Sequence, residues 1–192
     1  MLSIKNKNKY TYTIKNSKFI SIISKIDTKK DIETLLEETK KEYPNATHYC
    51  YGYILNNDAK YSDDREPSKT AGLPILTQLE GHNLNNVIII VVRYFGGIKL
   101  GTGLLTRTYS KVAKEVITKD NIIELTKGYN ITITFNYEEI KNIDYQLKDS
   151  QILTKEYQDN IIYNANVNKE VLDNLHDLNI KINKEIYIEK NN

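Results

Sequence analysis

The sequence predicts an α+β protein made of two domains. Two observations carry this prediction. Residues 86–117 pass from an apolar strand through a glycine-rich turn into a helix, and the chain beyond Asp120 repeats strand and helix patterns in the order βαββαβ. The length of 192 residues suits one large domain or two small ones, and 40% hydrophobic with 27% charged residues is a globular balance.

The apolar run at residues 87–92, VIIIVV, is the clearest strand in the sequence. An unbroken β-branched run is typical of a strand covered on both faces or lying centrally in a sheet, and this one is too short to span a membrane. Half of the eight glycines follow it closely: Gly96, Gly97, Gly101 and Gly103. Such a cluster permits positive φ and close approach of another backbone or a ligand.

The helix after the glycine turn has an apolar side and a basic side. Its apolar positions recur at intervals of four, three and four: Leu105, Tyr109, Val112 and Val116. Its basic positions follow the same helical spacing: Arg107, Lys111 and Lys114. We therefore expect one side to face the core and the other to face outward.

We predict that the glycine turn and this helix bind an anion, because a helix N-terminus offers free N–H groups and positive potential. The predicted contacts are Arg93, Tyr94, Gly96, Gly97, Lys99, Gly101, Gly103, Arg107, Lys111 and Lys114. Tyr94 and Phe95 could stack on bases, although a core role for one of them fits equally well. Neither nucleotide fingerprint is present, so the alternative also stays open that the glycines serve packing and the lysines are a solvated face.

The first domain is predicted to open with strands at residues 10–14 and 19–26. A helix follows, capped by Asp27 or Thr28, with Asp31 in its first turn and Pro44 as its stop. Its buried side is predicted to comprise Ile32, Leu35, Leu36 and Thr39. A third strand is predicted at residues 48–55, and the polar residues 56–70 are predicted to form a long loop before a short helix at 71–79.

The second domain is predicted to be ferredoxin-like. Its elements are strand 129–135, helix 137–147, hairpin strands 151–157 and 161–167, a helix marked by Val171, Leu172, Leu175 and Leu178, and strand 182–188. This order is the split βαβ arrangement. We predict domains at residues 1–127 and 128–192, with the boundary near Lys127.

The densest acidic group, Asp63, Asp64 and Glu66, precedes the short helix. Clustered carboxylates can bind a cation, cap a helix or pair with Arg65 or Lys69, and the absence of EF-hand spacing favours a structural role.

His48 and Cys50 lie two apart on a strand and so share a face, but zinc needs further ligands with suitable spacing. His176 is read as a helix-face residue. We predict no metal, no cofactor and no catalytic residue.

The composition limits the partners. The net charge of only +2 means that nucleic-acid binding would need a local basic patch. A single cysteine allows no intramolecular disulfide and favours a reducing compartment. The N-terminal residues lack the apolar region of a signal peptide, and no transmembrane segment is apparent. We therefore expect a cytoplasmic protein without a membrane partner.

Two segments resemble the Impact, or YigZ, family: SDDREPSKTAGLPIL at residues 62–76 and VVRYFGGIKLGTGLLTRTYS at residues 91–110. Residues 16–21 and 46–53 fit as well. The resemblance implies an N-terminal domain with the left-handed βαβ arrangement of elongation factor G domain IV and a small-subunit ribosomal protein. It also implies a ferredoxin-like C-terminal domain, as in bacterial members. The sequence departs from the family where Arg65 and Lys69 replace usual glycines.

For function, the resemblance implies a role near translation or RNA, and eukaryotic members regulate a translation-linked kinase pathway by binding a partner protein. No reaction is implied. Our leading hypothesis is a binding protein for RNA, the ribosome or a translation factor. One alternative is an enzyme acting on a phosphorylated small molecule or nucleotide, with Asp63, Asp64 and Glu66 as the second side of a cleft. Another is a protein-interaction regulator without nucleic-acid binding.

Overall fold

The computed structural model describes residues 1–175 and 178–190. The chain divides into two compact units, Met1–Ile123 and Glu124–Asn192, and each combines helices with an antiparallel sheet. The predicted α+β class is thereby confirmed. The predicted boundary near Lys127 lies inside a strand, Ile122–Phe135, and stays a prediction. His176 lies outside the described residues.

The first unit is built around a five-stranded sheet. Its elements are β1 (Leu2–Ile4), β2 (Asn8–Ile14), β3 (Ser17–Lys25), α1 (Lys29–Glu42), β4 (His48–Leu55), β5 (Asp58–Ser62), α2 (Gly72–Gly81), β6 (Val87–Tyr94), α3 (Thr102–Glu115) and a short 3₁₀ turn at Lys119–Asn121. The strand order is β2-β3-β6-β4-β5, with antiparallel neighbours throughout. β6 therefore occupies the centre.

β6 is buried on both faces, as its apolar run predicts. Val87, Ile89 and Val91 belong to the core cluster that contains the apolar sides of α2 and α3. Ile88 and Ile90 point the other way, into the cluster beside α1. The predicted apolar side of α3 is also confirmed, because all of its members are buried: Leu105, Tyr109, Val112 and Val116.

The start of α1 follows its sequence signal closely. The Thr28 hydroxyl accepts a hydrogen bond from the Asp31 N–H at 3.2 Å, and the Asp31 carboxylate accepts one from the Thr28 N–H at 2.8 Å. This reciprocal pair is a capping box, which satisfies donors that a helix leaves free at its N-terminus. Thr28, rather than Asp27, is therefore the cap.

The prediction of one long loop at residues 56–70 is wrong in its first half. Asn56 and Asn57 have φ angles of 50° and 66° and turn the chain into strand β5, which pairs with β4. Asparagine tolerates these left-handed angles, which tight hairpin turns require. β5 is an exposed edge strand, so it lacks the alternating burial on which pattern-based prediction depends.

The second unit has the predicted βαββαβ order. Its elements are β7 (Ile122–Phe135), a 3₁₀ turn at Tyr137–Glu139, α4 (Ile140–Gln146), β8 (Gln151–Tyr157), β9 (Ile161–Asn168), α5 (Lys169–Asn174) and β10 (Asn179–Glu189). The strands lie in the order β10-β7-β9-β8, all antiparallel. This is the ferredoxin-like arrangement. α5 ends at Asn174, so the prediction that Leu178 belongs to this helix is wrong.

Alternating residues of β7 and β9 face the core of this second unit. The buried members include Ile131, Ile133, Tyr163 and Val167, with Ile143 of α4 packed among them. Within the described part of the chain, no helix is both long and apolar enough to cross a bilayer.

We expect Asp31→Asn to remove part of the acid sensitivity of folding. Hydrogen bonds from the backbone N–H groups of Asp27 and Thr28 hold the pKa of Asp31 below its usual value. A lowered folded pKa adds stability that is present above the unfolded pKa, roughly pH 4, and is lost as the pH falls through the folded value. Wild type should be more stable than the variant at pH 7, and the two should converge in acid.

Urea midpoints measured from pH 7 downward test this expectation. Glu38→Gln, at an exposed position of the same helix, is the matched control and should leave the midpoint nearly unchanged. A difference between wild type and Asp31→Asn that stays constant across the pH range would contradict the assigned role.

Candidate functional site

The candidate site lies at the end of the sheet where β6 finishes and β4 begins. Arg93, the second-to-last residue of β6, pairs in register with Phe19 of β3 and His48 of β4. The last residue of β5 and the four residues after it, here called the acidic segment (residues 62–66), contact this same end. The structure thus brings Glu66, one of the residues predicted for the second side of the cleft, against Arg93.

A buried ion pair joins the acidic segment to β6. Arg93 Nη1 donates to Glu66 Oε1 at 2.5 Å, and the two residues are 5% and 8% exposed. The Tyr109 hydroxyl of α3 donates to the same carboxylate oxygen at 2.8 Å. Charge-assisted bonds of this kind are stronger than neutral ones. Through them, Glu66 connects the acidic segment to both β6 and α3.

Arg93 also contacts two phenyl rings. Its guanidinium carbon is 5.3 Å from the ring centroid of Phe19 and 5.6 Å from that of Phe95. The Phe95 N–H donates to Thr47 Oγ1 at 3.0 Å. Phe19 is fully buried, whereas Phe95 is 45% exposed, so the stack runs from the core to the surface.

His48 and Cys50 share one face of β4, as their spacing predicts, and both lie against the acidic segment. His48 Nδ1 lies 2.8 Å from the Asp64 carbonyl, which can only accept, so this nitrogen carries the proton. His48 Nε2 lies 3.7 Å from Glu66 Oε2. Cys50 Sγ lies 3.1 Å from the Asp63 carbonyl. Burial raises the pKa of the Cys50 thiol well above its usual value, which disfavours the nucleophilic thiolate at neutral pH.

The two aspartates of the acidic segment are bound by backbone donors. Asp63 Oδ1 accepts from the N–H groups of Ala71 and Gly72 at 3.0 and 2.8 Å, which caps α2. Asp64 Oδ2 accepts from the Tyr49 N–H at 2.7 Å. These bonds give both carboxylates structural roles. Among residues 1–175 and 178–190, no group of three or more histidine, cysteine or acidic side chains is arranged to hold a metal ion.

Arg65 and Lys69 have a backbone geometry that favours glycine. Their φ angles are 69° and 63°, in the left-handed region that favours glycine. Both side chains are exposed. The loop can therefore follow a path suited to glycine despite the substitutions, and the two added charges lie on the surface.

The four glycines of the turn have different roles. A Cβ at Gly96 would lie 2.0 Å from the carbonyl carbon of Asn16, so this position serves close backbone packing. Gly97 and Gly101 have φ angles of 84° and 73°, and no heavy atom lies within 4 Å of the Cβ that either would carry. Gly103 stands in the first turn of α3. The packing alternative holds for Gly96, while Gly97 and Gly101 leave open space beside the backbone.

The predicted basic contacts do not converge on one point. Lys99, Arg107, Lys111 and Lys114 are exposed, and we call them the basic strip. At 1.5 Å per residue along α3, Lys114 lies about 20 Å from Gly101. Lys111 Nζ sits 3.8 Å from the ring centroid of Tyr12 in β2. The strip therefore extends along a helix rather than lining a single pocket.

Arg93 and Tyr94 were predicted to contact an anion at the surface, but both are more buried than that role requires. Arg93 is buried because Glu66 neutralises its charge, a pairing that local sequence patterns do not show. Tyr94 is half-buried, packs on the α1 side and donates its hydroxyl to the Pro44 carbonyl at 3.1 Å. Phe95 is thus the more exposed aromatic of the two. Thr47, whose hydroxyl oxygen accepts a hydrogen bond from the Phe95 N–H, has no sequence signal that predicts this contact.

We expect removal of either Glu66 or Arg93 alone to destabilise the protein by about 3–5 kcal/mol, because the remaining charge would be buried without its partner. Glu66→Met combined with Arg93→Met should cost clearly less than the sum of the two single changes. Urea denaturation of the four proteins measures this. Arg65→Gln, at an 80% exposed side chain, is the control and should change stability by less than about 0.5 kcal/mol. Additive single effects would contradict a coupled buried pair.

We expect Gly96→Ala to destabilise the protein by at least about 2 kcal/mol, because the new methyl group would overlap the Asn16 backbone. Gly81→Ala is the matched control. Gly81 ends α2 with nothing within 4 Å of its Cβ position, so this change should be neutral or stabilising by up to about 1 kcal/mol. Thermal or urea unfolding compares them, and equal effects would argue against the packing role of Gly96.

Comparison with known proteins agrees with these features. The sequence model of the Impact N-terminal domain matches residues 15–117. IMPACT family member YvyE of Bacillus subtilis is 34% identical over 173 residues, which cover 88% of this chain and 80% of that protein. IMPACT family member YigZ of Escherichia coli is 32% identical over 152 residues, which cover 76% and 74%.

A crystal structure described as that of a hypothetical protein matches with a TM-score of 0.67 and 26% identity, covering 95% of this chain and 97% of its own. This match spans both units. The domain match across β3, β6 and the glycine turn, together with relatives above 30% identity over most of their length, shows that the chain belongs to the IMPACT family.

Proposed function

We propose that this chain is a binding protein that acts on RNA or on the translation apparatus through the basic strip. The carrying observation is the contrast in charge between two neighbouring segments. Asp63, Asp64 and Glu66 are bound by donors within the protein. In the part of the chain that the structure describes, none of the cations of the basic strip pairs with a carboxylate.

A row of exposed cations that are not paired with carboxylates suits the phosphate backbone of a nucleic acid. The three strip cations on α3, Arg107, Lys111 and Lys114, span about 10 Å along the helix, with successive cations separated by about one helical turn. A formal net charge of +2 gives a weak overall field, so attraction would depend on this local row. The resemblance to the Impact family points in the same direction, toward RNA or translation. A reducing compartment such as the cytoplasm is the proposed location.

The alternatives have less support. An enzyme with the acidic segment as one side of its cleft would need carboxylates available to a ligand or cation. Asp63 and Asp64 bind backbone N–H groups instead, and Glu66 binds Arg93 and Tyr109. A protein-interaction regulator would use exposed apolar side chains, of which Phe95 and Ile98 are the nearest to the strip along the sequence.

We expect affinity for a labelled single-stranded RNA to fall steeply with salt. Four phosphate contacts give a slope of about −3 in log affinity against log salt, or about a 50-fold loss between roughly 50 and 200 mM KCl. Fluorescence anisotropy measures this. Absence of binding at the lower salt concentration would overturn the proposal.

Charge reversal then locates the surface. Lys111→Glu with Lys114→Glu should weaken RNA binding at least about tenfold at low salt, because two contacts become repulsive. Lys29→Glu with Lys30→Glu is the matched control, since it makes the same charge change at the start of α1, which packs on the other face of the sheet. Equal losses in the two double variants would mean that the strip is not the binding surface.

A further inference from the structure

We propose that Phe95 is a base-stacking platform, so that the RNA bound beside the glycine turn is single-stranded there. This inference rests on the proposed function and deepens it by naming the class of RNA. Stacking of bases on exposed aromatic rings beside cations is the common mode of single-strand binding. In an A-form duplex the base faces are stacked on one another and cannot reach such a ring.

The ring of Phe95 is presented to solvent and supported from within. It is 45% exposed and lies just beyond the end of β6. The Arg93 guanidinium covers one side of the ring at 5.6 Å from its centroid. The Thr47 hydroxyl oxygen fixes the backbone at the same residue. Phe95 is therefore held from the protein side while much of the ring stays accessible.

The support reaches into the core. Arg93 is bound by Glu66 and stacked against the buried ring of Phe19. Phe19 in turn contacts Tyr109 edge to face, with ring centroids 5.3 Å apart. The ring of Phe95 is the outermost member of this stack. A platform whose supports are already ordered loses less conformational freedom on binding, which favours affinity.

The surroundings of the ring fit a nucleotide strand. Gly97 follows with a φ of 84° and open space where a side chain would stand, so a ligand can approach the backbone there. The hairpin turn of β2 and β3 packs against Gly96 through Asn16, which places exposed Lys15 on the neighbouring segment. Lys99 lies on the other side of the turn along the chain. These cations can contact phosphates on either side of a stacked base.

Anisotropy titrations with a labelled oligoadenylate and with the same strand in an RNA duplex test the inference at matched salt. Wild type should bind the single strand more tightly than the duplex. Phe95→Leu, which keeps an apolar side chain but removes the ring, should weaken single-strand binding about tenfold. The salt slope should not change, and Phe95→Tyr should retain most of the affinity.

Ile98→Ala is the control, since Ile98 is similarly exposed on the same turn but has no ring. It should change single-strand affinity by less than about twofold. Circular dichroism checks that each variant is folded. We expect all of them to fold, because the side chains of Phe95 and Ile98 are both exposed.

The outcomes separate this inference from the function on which it rests. Phe95→Leu binding like wild type, or losing the same factor for duplex as for single strand, would overturn the stacking role. If Lys111→Glu with Lys114→Glu still weakened binding at least about tenfold in those cases, the basic strip would stand without the platform. If wild type bound neither RNA at low salt, the proposed function would fail and the inference with it.

Discussion

The buried pair between Glu66 and Arg93 is the interaction on which the first unit depends at its candidate site. It ties the acidic segment to β6, and through the Tyr109 hydroxyl to α3. Taking two charges out of water is expensive, and such a pair rarely adds net stability compared with apolar residues of the same size. Its value here is positional, because it fixes the guanidinium that supports Phe95.

The acidic and basic motifs are equally conspicuous in the sequence, but they differ in exposure in the fold, and the Glu66–Arg93 pair is part of the reason. The acidic segment turns inward, where backbone N–H groups and Arg93 bind its carboxylates. The basic positions of α3 lie opposite its apolar side and face solvent. Negative charge is thus partly neutralised beside a surface where positive charge is exposed, which gives a nearly neutral chain a local cationic row.

Sequence patterns reported the elements whose burial is periodic. Burial produces a recognisable pattern of apolar residues in the sequence. This pattern predicted β6, the apolar side of α3 and the alternating strands of the second unit. β5 has no such pattern, since it is an exposed edge strand. The burial of Arg93 was hidden for a different reason: its partner is 27 positions away, and charged residues are expected outside. The distinct roles of Gly96 and Gly97 likewise depend on what packs beside each backbone.

The most direct test of the account maps RNA contacts residue by residue. Amide chemical shifts of ¹⁵N-labelled protein, titrated with oligoadenylate at low salt, report every backbone N–H near the ligand. We expect the largest shifts at Phe95, Gly97 and Gly101 and along the outer side of α3, with small shifts on α1. Shifts concentrated on α1 or on the second unit, or no shifts at all, would contradict the claim that the glycine turn and basic strip form the binding surface.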